Sequence, residues 1–423
     1  MDFFNYRDGE LYCEEVPVRE IASREGTPLY IYSRRTLLHH HERLREAFPE
    51  PDFLVCYSIK ANSNLAVIQT LQDAGCGFDV VSVGELKKAR MVGADPEKII
   101  FSGVGKTEEE IRHAIRSGIL MINIESDEEL SAVDHVARAE GKRAGVAVRL
   151  NPDVDPSTHE YITTGKEENK FGIAIPEAKE VLRKCARLPG IQLLGLHVHI
   201  GSQITTVEPY VKAVERTIAL AKELEEEDLP IRYINIGGGF GIDYRRGEAL
   251  SAAEIGEAVR PLASGGRWKL LIEPGRFIVG NAGILVVQAL YRKQMGKKRF
   301  LVTDGGMNDL IRPSLYGSYH RIWPVATDKP EGEGSFPATD IVGPICESGD
   351  FLAKDRKIPP VEAGAYLAVF SAGAYSFAMA SNYNSRPRPP EVMVDGKDWK
   401  VVRKRETFED LIRGESTWQS GSV

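Results

Sequence analysis

Cysteine is scarce in this sequence, and its distribution argues against two kinds of covalent or metal stabilisation. The five cysteines are scattered and form no C-x-x-C pair: Cys13, Cys56, Cys76, Cys185 and Cys346. We therefore expect neither a disulfide framework nor a zinc site. A reducing compartment, the cytoplasm, is the location that this pattern favours.

Long hydrophobic runs and an excess of basic residues are also missing. No apolar run approaches the roughly 20 residues that span a bilayer. The start, MDFFNYRDGELYCEE, lacks the apolar stretch of a signal peptide. The net charge of -7 provides no basic field that would attract phosphate groups. We therefore expect no membrane partner and no nucleic-acid partner.

What the sequence does contain is a regular alternation of strand-like and helical segments. Eight strand-like runs occur, at residues 53–59, 77–82, 99–103, 120–125, 144–151, 193–200, 233–239 and 269–276. This number of units is typical of a (β/α)8 barrel. An open doubly wound sheet also alternates in this way, but its glycine cluster follows the first strand, whereas here it follows the seventh. We favour the barrel, an α/β fold over residues 29–283.

Two of the helical segments carry recognisable start signals. Thr107, with Glu110 three residues later, forms a capping-box pattern, and Ser126 precedes a second helical run. The triplet His39-His40-His41 lies within the helical run RRTLLHHHERLREAF, so we expect no metal role for it.

The character of the sequence changes after residue 283. Strand-like runs there are separated by Gly, Pro and Asp turns, with few helical periods. The segment VMVDGKDWKVV predicts a hairpin around Asp395 and Gly396. We expect a mainly β domain formed by residues 1–28 and 284–423.

Polar residues collect where the predicted barrel strands end, which is where barrels carry their chemistry. They are Lys60, Asp79, His199, Gly237 to Gly239, Glu273 and Arg276. Each alone has a plain structural explanation: a surface lysine, a tight glycine turn, or an ion pair between the last two. Their complementarity, however, fits one cofactor.

These groups match the parts of pyridoxal phosphate (PLP). Glycine N–H groups can approach a phosphate closely, and Ser202 could donate to a phosphate or phenolic oxygen. Glu273 would keep a pyridine nitrogen protonated, which makes the ring an electron sink. His199 could stack on the ring, and the amine of Lys60 could bond to the aldehyde. His197 shares a strand face with His199 and would also suit a metal, but no third ligand lies nearby in sequence.

Seven motifs in order then resemble one family, the fold-type III PLP-dependent decarboxylases. The motifs are YSIKAN, HVHIGSQ, GGGFG, EPGR, DGGMNDLIRPSLYG, CESGD and GAY. The resemblance covers essentially the whole chain and implies the barrel-plus-β architecture of alanine racemase and ornithine decarboxylase. It is strongest to the branch that decarboxylates meso-2,6-diaminopimelate to L-lysine, the last step of lysine biosynthesis. Ser58 stands where alanine is frequent in the family, a small-for-small difference from which we expect no effect.

The resemblance also implies roles for individual residues. Cys346 would donate the proton that replaces carbon dioxide, and a homodimer is implied because Cys346 would complete the site of the other subunit. A substrate would be held by Arg276, Arg312, Tyr316, Glu347 and Tyr375. The cofactor would contact Lys60, Asp79, His199, Ser202, Gly238, Gly239, Glu273, Pro274, Gly275, Arg276 and Tyr375.

Other functions share this layout. Decarboxylases of ornithine or arginine act on substrates whose far end carries only a cation, whereas here two arginines and a tyrosine accompany a single Glu347. That balance suits a far end with both a carboxylate and an ammonium, and the loop THEYITTGKEENKFG is also similar to the diaminopimelate type. A branch acting on carrier-bound amino acids stays open. A racemase would place a cation by the pyridine nitrogen, and a non-catalytic relative should have lost Lys60 or Cys346.

Overall fold

The computed structural model describes residues 2–49, 51, 53–154, 170–229, 231–244, 249–263, 268–329 and 335–418. Most of the loop THEYITTGKEENKFG, residues 158–169, lies outside them. The chain divides into two compact units. One, the barrel unit, is Thr36–Asn281; the other, the β unit, is Met1–Arg35 with Ala282–Val423.

The N-terminal part of the β unit begins with a small antiparallel sheet. Its elements are β1 (Phe4–Arg7), β2 (Glu10–Cys13), β3 (Val16–Pro17), α1 (Val18–Glu25) and β4 (Leu29–Ser33). Strands β1, β2 and β3 pair in that order. Strand β4 is buried throughout, and it pairs with strands from the C-terminal part of the chain. The division therefore falls after Arg35, whereas we placed it after residue 28, because long-range pairing assigns residues 29–33 to the β unit.

The barrel unit contains eight parallel strands that close on themselves. Its helices are α2 (Arg34–Ala47), α3 (Leu65–Asp73), α4 (Val83–Met91), α5 (Glu108–Ser117), α6 (Asp127–Ala139), α7 (Ile175–Arg187), α8 (Glu208–Glu226), α9 (Ala252–Ala263) and α10 (Arg276–Val279). Its strands are β5 (Phe53–Ser58), β6 (Gly77–Val80), β7 (Ile99–Phe101), β8 (Met121–Ile124), β9 (Ala144–Asn151), β10 (Ile173–Ala174), β11 (Ile191–Val198), β12 (Tyr233–Asn235) and β13 (Lys269–Ile272).

Strand order around the barrel is β9-β11-β12-β13-β5-β6-β7-β8, and β8 pairs with β9 to close it. The short β10 adds to β9 outside this circle. All eight strands of the circle fall within the runs read from the sequence or within two residues of them, so the predicted barrel is confirmed.

The barrel interior is filled by apolar side chains at alternate strand positions. One buried cluster combines residues from six strands: Leu54, Cys56, Ile100, Met121, Ala147, Leu194 and Leu271. Leu54 and Cys56 are two residues apart on β5 and so point to the same side, as the period of a strand requires. This apolar cluster fills the interior of the barrel, and the polar residues lie at the carboxyl ends of the strands.

Both helix starts that the sequence indicated are confirmed. Thr107 caps α5 in a reciprocal capping box with Glu110, and the Ser126 side chain accepts a hydrogen bond from Glu129 N at the start of α6. The histidine triplet lies in α2. Among the described residues, no cluster of three or more potential metal ligands occurs, and no helix is both long and apolar enough to cross a bilayer.

The C-terminal part of the β unit is mainly strands, as predicted. Its elements are β14 (Gly283–Met295), β15 (Lys298–Thr303), α11 (Arg312–Tyr316), β16 (Ile322–Pro324), β17 (Ala338–Val342), β18 (Phe351–Lys357), β19 (Tyr366–Val369), β20 (Glu391–Asp395), β21 (Asp398–Arg403) and α12 (Phe408–Leu411). The main sheet runs β18-β17-β15-β14-β4-β20-β21, and β19 joins β14 to β16. Strands β20 and β21 form the hairpin expected around Asp395 and Gly396.

The capping box offers a test of the local fold. Replacing Thr107 with Ala removes the side-chain oxygen that satisfies the Glu110 N–H, so we expect the free energy of unfolding to fall by about 1 kcal/mol. Urea denaturation of the two proteins measures the difference. Thr107→Ser keeps the hydroxyl and should stay close to wild type; equal losses in both variants would contradict the capping role.

Candidate active site

Lys60 stands at the carboxyl end of β5, in a single turn of 3-10 helix over Ile59–Ala61. Its Nζ lies 3.3 Å from Oδ2 of Asp79, and its side chain is 38% exposed, which leaves the amine accessible. Asp79 is fully buried on β6. Ser58 donates to its Oδ2 and Ser102 to its Oδ1, both at 2.7 Å. Burial raises the pKa of Asp79, and the Lys60 charge opposes that rise.

Glu273 follows β13 and is also buried. Asn235 Nδ2 donates to its Oε1 at 2.6 Å, and His197 Nε2 lies 3.3 Å from the same oxygen. Burial alone would raise the pKa of Glu273, but the neighbouring His197, followed by Lys60, holds that pKa well below the usual range. The carboxylate is therefore ionised although it is buried.

The glycine triplet after β12 is dictated by close packing. A Cβ on Gly238 would lie 2.1 Å from the Glu273 carbonyl oxygen, and one on Gly239 would lie 2.3 Å from the Gly201 carbonyl oxygen. Gly237 N donates to Asn235 Oδ1 at 2.9 Å, and Gly238 N donates to His199 Nδ1 at 3.1 Å. Only glycine lets the chain pass this close to β13 and still place its amides at the barrel end.

His199 is a neutral imidazole, for two reasons. Its Nδ1 accepts the Gly238 N–H, so that nitrogen carries no proton. Burial first, and then the charges of Arg149 and Lys60, lower the pKa of His199 well below its ordinary value. A neutral, flat ring beside the glycine turn is suited to stacking against another ring.

A buried arginine lies at the start of α10. Arg276 Nη1 donates to the Tyr244 hydroxyl at 2.6 Å, and Nη2 donates to Ser202 Oγ at 2.9 Å. The EPG turn that precedes it places Pro274 O where it accepts the Ser58 N–H at 3.1 Å, and Gly275 is the N-cap of α10. A guanidinium and two hydroxyls therefore gather in one place, a combination that suits an oxyanion with several oxygens.

The β unit carries the other predicted site residues. Arg312, at the start of α11, is buried; its Nε approaches His320 Nε2 at 3.4 Å, and its Nη2 donates to Ser318 Oγ at 3.2 Å. Its guanidinium lies 5.9 Å from the centre of the Tyr316 ring. Tyr375 has a positive φ of 55°, a backbone conformation that residues other than glycine rarely adopt.

Cys346 and Glu347 lie in an exposed loop of the β unit. Asp350 orders this loop because its carboxylate accepts the Ile345 N–H at 2.6 Å and the Met307 N–H at 2.7 Å. Cys346 N donates to Asn384 Oδ1 at 2.8 Å. Glu347 accepts a hydrogen bond from the Tyr383 hydroxyl, which raises the pKa of that tyrosine.

The predicted site residues thus fall into two sets. The barrel unit gathers Lys60, Asp79, His199, Ser202, Gly238, Gly239, Glu273, Pro274, Gly275 and Arg276 at the carboxyl ends of its strands. The β unit contains Arg312, Tyr316, Cys346, Glu347 and Tyr375.

Several residues of this barrel end were not singled out from the sequence as part of the cofactor set. Asn235 and His197 contact Glu273, Ser102 contacts Asp79, and Tyr244 contacts Arg276. A polar residue inside an otherwise buried strand was the available signal for Asn235 and His197, whereas Ser102 directly follows β7. Ser58 also differs from expectation, because its hydroxyl donates to Asp79 and so cannot be replaced by alanine without losing a bond.

Comparisons with known proteins identify relatives that match nearly the whole chain. The family model described as "Pyridoxal-dependent decarboxylase, pyridoxal binding domain" matches residues 34–280. The chain is 46% identical to diaminopimelate decarboxylase of Aquifex aeolicus over 97% of this chain and 96% of that protein. It is 47% identical to diaminopimelate decarboxylase of Pseudomonas fluorescens, over 98% and 99%. A crystal structure of diaminopimelate decarboxylase from M. jannaschii, in co-complex with L-lysine, matches with a TM-score of 0.93 at 34% identity over 98% of each chain.

The glycine turn provides a test of the site geometry. Gly238→Ala places a methyl group 2.1 Å from a backbone oxygen that cannot move aside, so we expect a loss of at least about 3 kcal/mol in the free energy of unfolding. Gly105→Ala is the matched control, because no atom lies within 4 Å of its added Cβ. The control should stay within about 1 kcal/mol of wild type. Urea denaturation that found the two variants equally stable would contradict the packing argument.

Proposed function

The chain belongs to the family of pyridoxal-dependent decarboxylases, and we propose that it converts meso-2,6-diaminopimelate into L-lysine and carbon dioxide. It is a PLP-dependent carboxy-lyase. The proposed substrate is supported by the near-full-length similarity to diaminopimelate decarboxylases, at 46% and 47% identity. The proposed chemistry is supported by the buried, ionised Glu273 near an accessible lysine.

The residues of the barrel end fit PLP part by part. Glu273 Oε1 is held by its protein neighbours, whereas its Oε2 accepts no hydrogen bond from the described residues and can face a ring nitrogen. The Lys60 amine suits the aldehyde. Arg276, Ser202 and the amide of Gly239 suit the phosphate. When bound, the cofactor supplies a protonated ring that withdraws the electron pair left at Cα as carbon dioxide departs.

The protein's own groups would hold this ring in its active state. Glu273 stays ionised and so stabilises a proton on the pyridine nitrogen. The neutral His199 covers a ring face without adding a competing positive charge. Asp79 keeps Lys60 in place through the 3.3 Å contact and is itself anchored by two serine hydroxyls. Each of these roles is orientation or electrostatics, prepared before the substrate arrives.

The β unit would supply recognition and the proton. Arg312 and Tyr316, with Arg276 and Tyr375, would bind a substrate carboxylate, and Glu347 would accept the distal ammonium. The Sγ–H of Cys346 would deliver a proton to Cα after carbon dioxide leaves. A positioned thiol can act as a general acid in this way.

We further propose that the chain works as a homodimer in the cytoplasm. Cys346 and Glu347 are exposed in the single chain, which supports their serving the barrel of a second copy. Five free cysteines support a reducing compartment.

The activity is tested with a panel of amino acids. We expect release of carbon dioxide from meso-diaminopimelate and little from ornithine, arginine or lysine. The purified enzyme should be yellow, and Lys60→Ala should lose both that absorbance and the activity, because no amine remains for the aldehyde. Turnover of ornithine alone would overturn the substrate, and a wild-type protein that stays colourless with added PLP would overturn the cofactor sites.

The shared site is tested with mixed dimers. Lys60→Ala and Cys346→Ala chains, co-expressed with different tags and purified through both, should give about half of the wild-type turnover per dimer. The reason is that one of the two sites would then carry neither substitution. Each variant alone should be nearly inactive, although Cys346→Ala should remain yellow. A mixed dimer as inactive as its parents would place both residues in sites formed within one chain.

A further inference from the structure

His197 is a polar side chain in the barrel interior whose burial is unexplained by packing. It is 1% exposed on β11, in register with Arg149 on β9 and Asn235 on β12. Among the described residues, neither of its ring nitrogens makes a well-aligned hydrogen bond. A buried polar ring in this state costs stability relative to an apolar side chain of the same size. Stability alone would therefore not favour histidine here.

An acceptor close to this ring is the Glu273 carboxylate. His197 Nε2 lies 3.3 Å from Oε1, the oxygen that also accepts the Asn235 amide at 2.6 Å. Asn235 is fixed in turn, since its Oδ1 accepts the Gly237 N–H at 2.9 Å. Two donors therefore approach one oxygen from neighbouring strands. Both of these contacts are made by Oε1, and Oε2 accepts no hydrogen bond from the described residues.

We propose that His197 is a positioning residue for the decarboxylation: its Nε2–H donates to Oε1 of Glu273 and holds that carboxylate ionised, with Oε2 turned toward the cofactor ring. This inference rests on the proposed function. Asn235 sets the position of Oε1 from one side, and His197 sets the rotation of the carboxylate from the other. A contact of 3.3 Å needs only a small movement to become a full hydrogen bond once the cofactor occupies the site.

Other titratable and charged groups lie near Glu273 and His197, and they must be separated from the effect of His197. They are Lys60 at the end of β5, Asp79 on β6, Arg149 on β9 and the neutral His199 just beyond β11. Both substitutions at position 197 remove the imidazole, so any change in its influence on these groups is common to the two variants. A difference between two variants at that position therefore reports on the Nε2 donor.

The test uses a pair of substitutions with nearly the same shape. His197→Gln places an amide donor where Nε2 stands, whereas His197→Met fills the same space without a donor. We expect His197→Met to weaken PLP binding to the apoenzyme about 10- to 100-fold, the effect of losing one hydrogen bond to a charged group. We also expect it to shift the pH at which the visible band of the bound cofactor titrates. His197→Gln should restore the PLP affinity to within about threefold of wild type. It should also return the pH at which the visible band titrates to the wild-type value.

The melting temperature of the apoenzyme separates positioning from structure. Because an apolar side chain suits this buried place, His197→Met should melt at or above the wild-type temperature while binding PLP less well. Thr217→Val is the matched control: it removes a buried hydroxyl that donates to Ala213 O within α8 and not to a site residue. It should leave PLP affinity and the titration unchanged.

Two results would overturn the inference. One is a His197→Met enzyme with wild-type affinity and titration; the other is equal impairment in the Met and Gln variants, which would assign the effect to shape. Failure of the proposed function would look different. A wild-type protein that binds PLP but releases no carbon dioxide would refute the activity, and the affinity and titration of the variants would still decide the role of His197.

Discussion

The barrel end depends on keeping one buried carboxylate charged. Removing an ionised group from water is costly, and a buried carboxyl ordinarily becomes neutral. Glu273 stays ionised because donors and positive charge are concentrated around it: Asn235 on the adjacent β12, His197 on β11, and Lys60 at the end of β5, the other strand that pairs with β13. In the proposed function, a neutral acid at this position could not keep a pyridine nitrogen protonated. The barrel framework provides the buried negative charge that this proposed role of Glu273 requires.

The same requirement explains the glycines. For Asn235 to reach Glu273, the chain after β12 must run against β13, and at Gly238 it passes so close that a Cβ would overlap the Glu273 carbonyl oxygen. The turn then orients the Gly238 N–H toward His199 and fixes that ring in its neutral form. A carboxylate, an imidazole and a glycine turn are thus one coupled arrangement. A substitution in any one of these groups would therefore alter the position or the hydrogen bonds of the other two.

Much of this could be read from the sequence, and the failures have a common cause. The strands, the capping boxes and the chemistry-bearing motifs are local, so a run such as LLIEPGR identifies both a strand and its terminal acid. Residues that act across strands are invisible locally. In the sequence alone, Asn235, Ser102 and Ser58 look like ordinary polar residues. The barrel places Asn235 against Glu273, and it places Ser102 and Ser58 against Asp79. The partners of β4 could not be read locally for the same reason, because they lie more than 200 residues away along the chain.

The proposed cofactor and substrate residues are divided unevenly between the two units. All proposed cofactor residues except Tyr375 belong to the barrel unit, and all proposed substrate residues except Arg276 belong to the β unit. Cys346 and Glu347 stand in an exposed loop of the β unit in which the Asp350 carboxylate accepts two backbone N–H groups. Side chains of such a loop can change without disturbing the backbone bonds that shape it. Substrate choice can consequently vary while Glu273 and its donors stay constant, so the reaction type follows more firmly from these residues than the identity of the amino acid does.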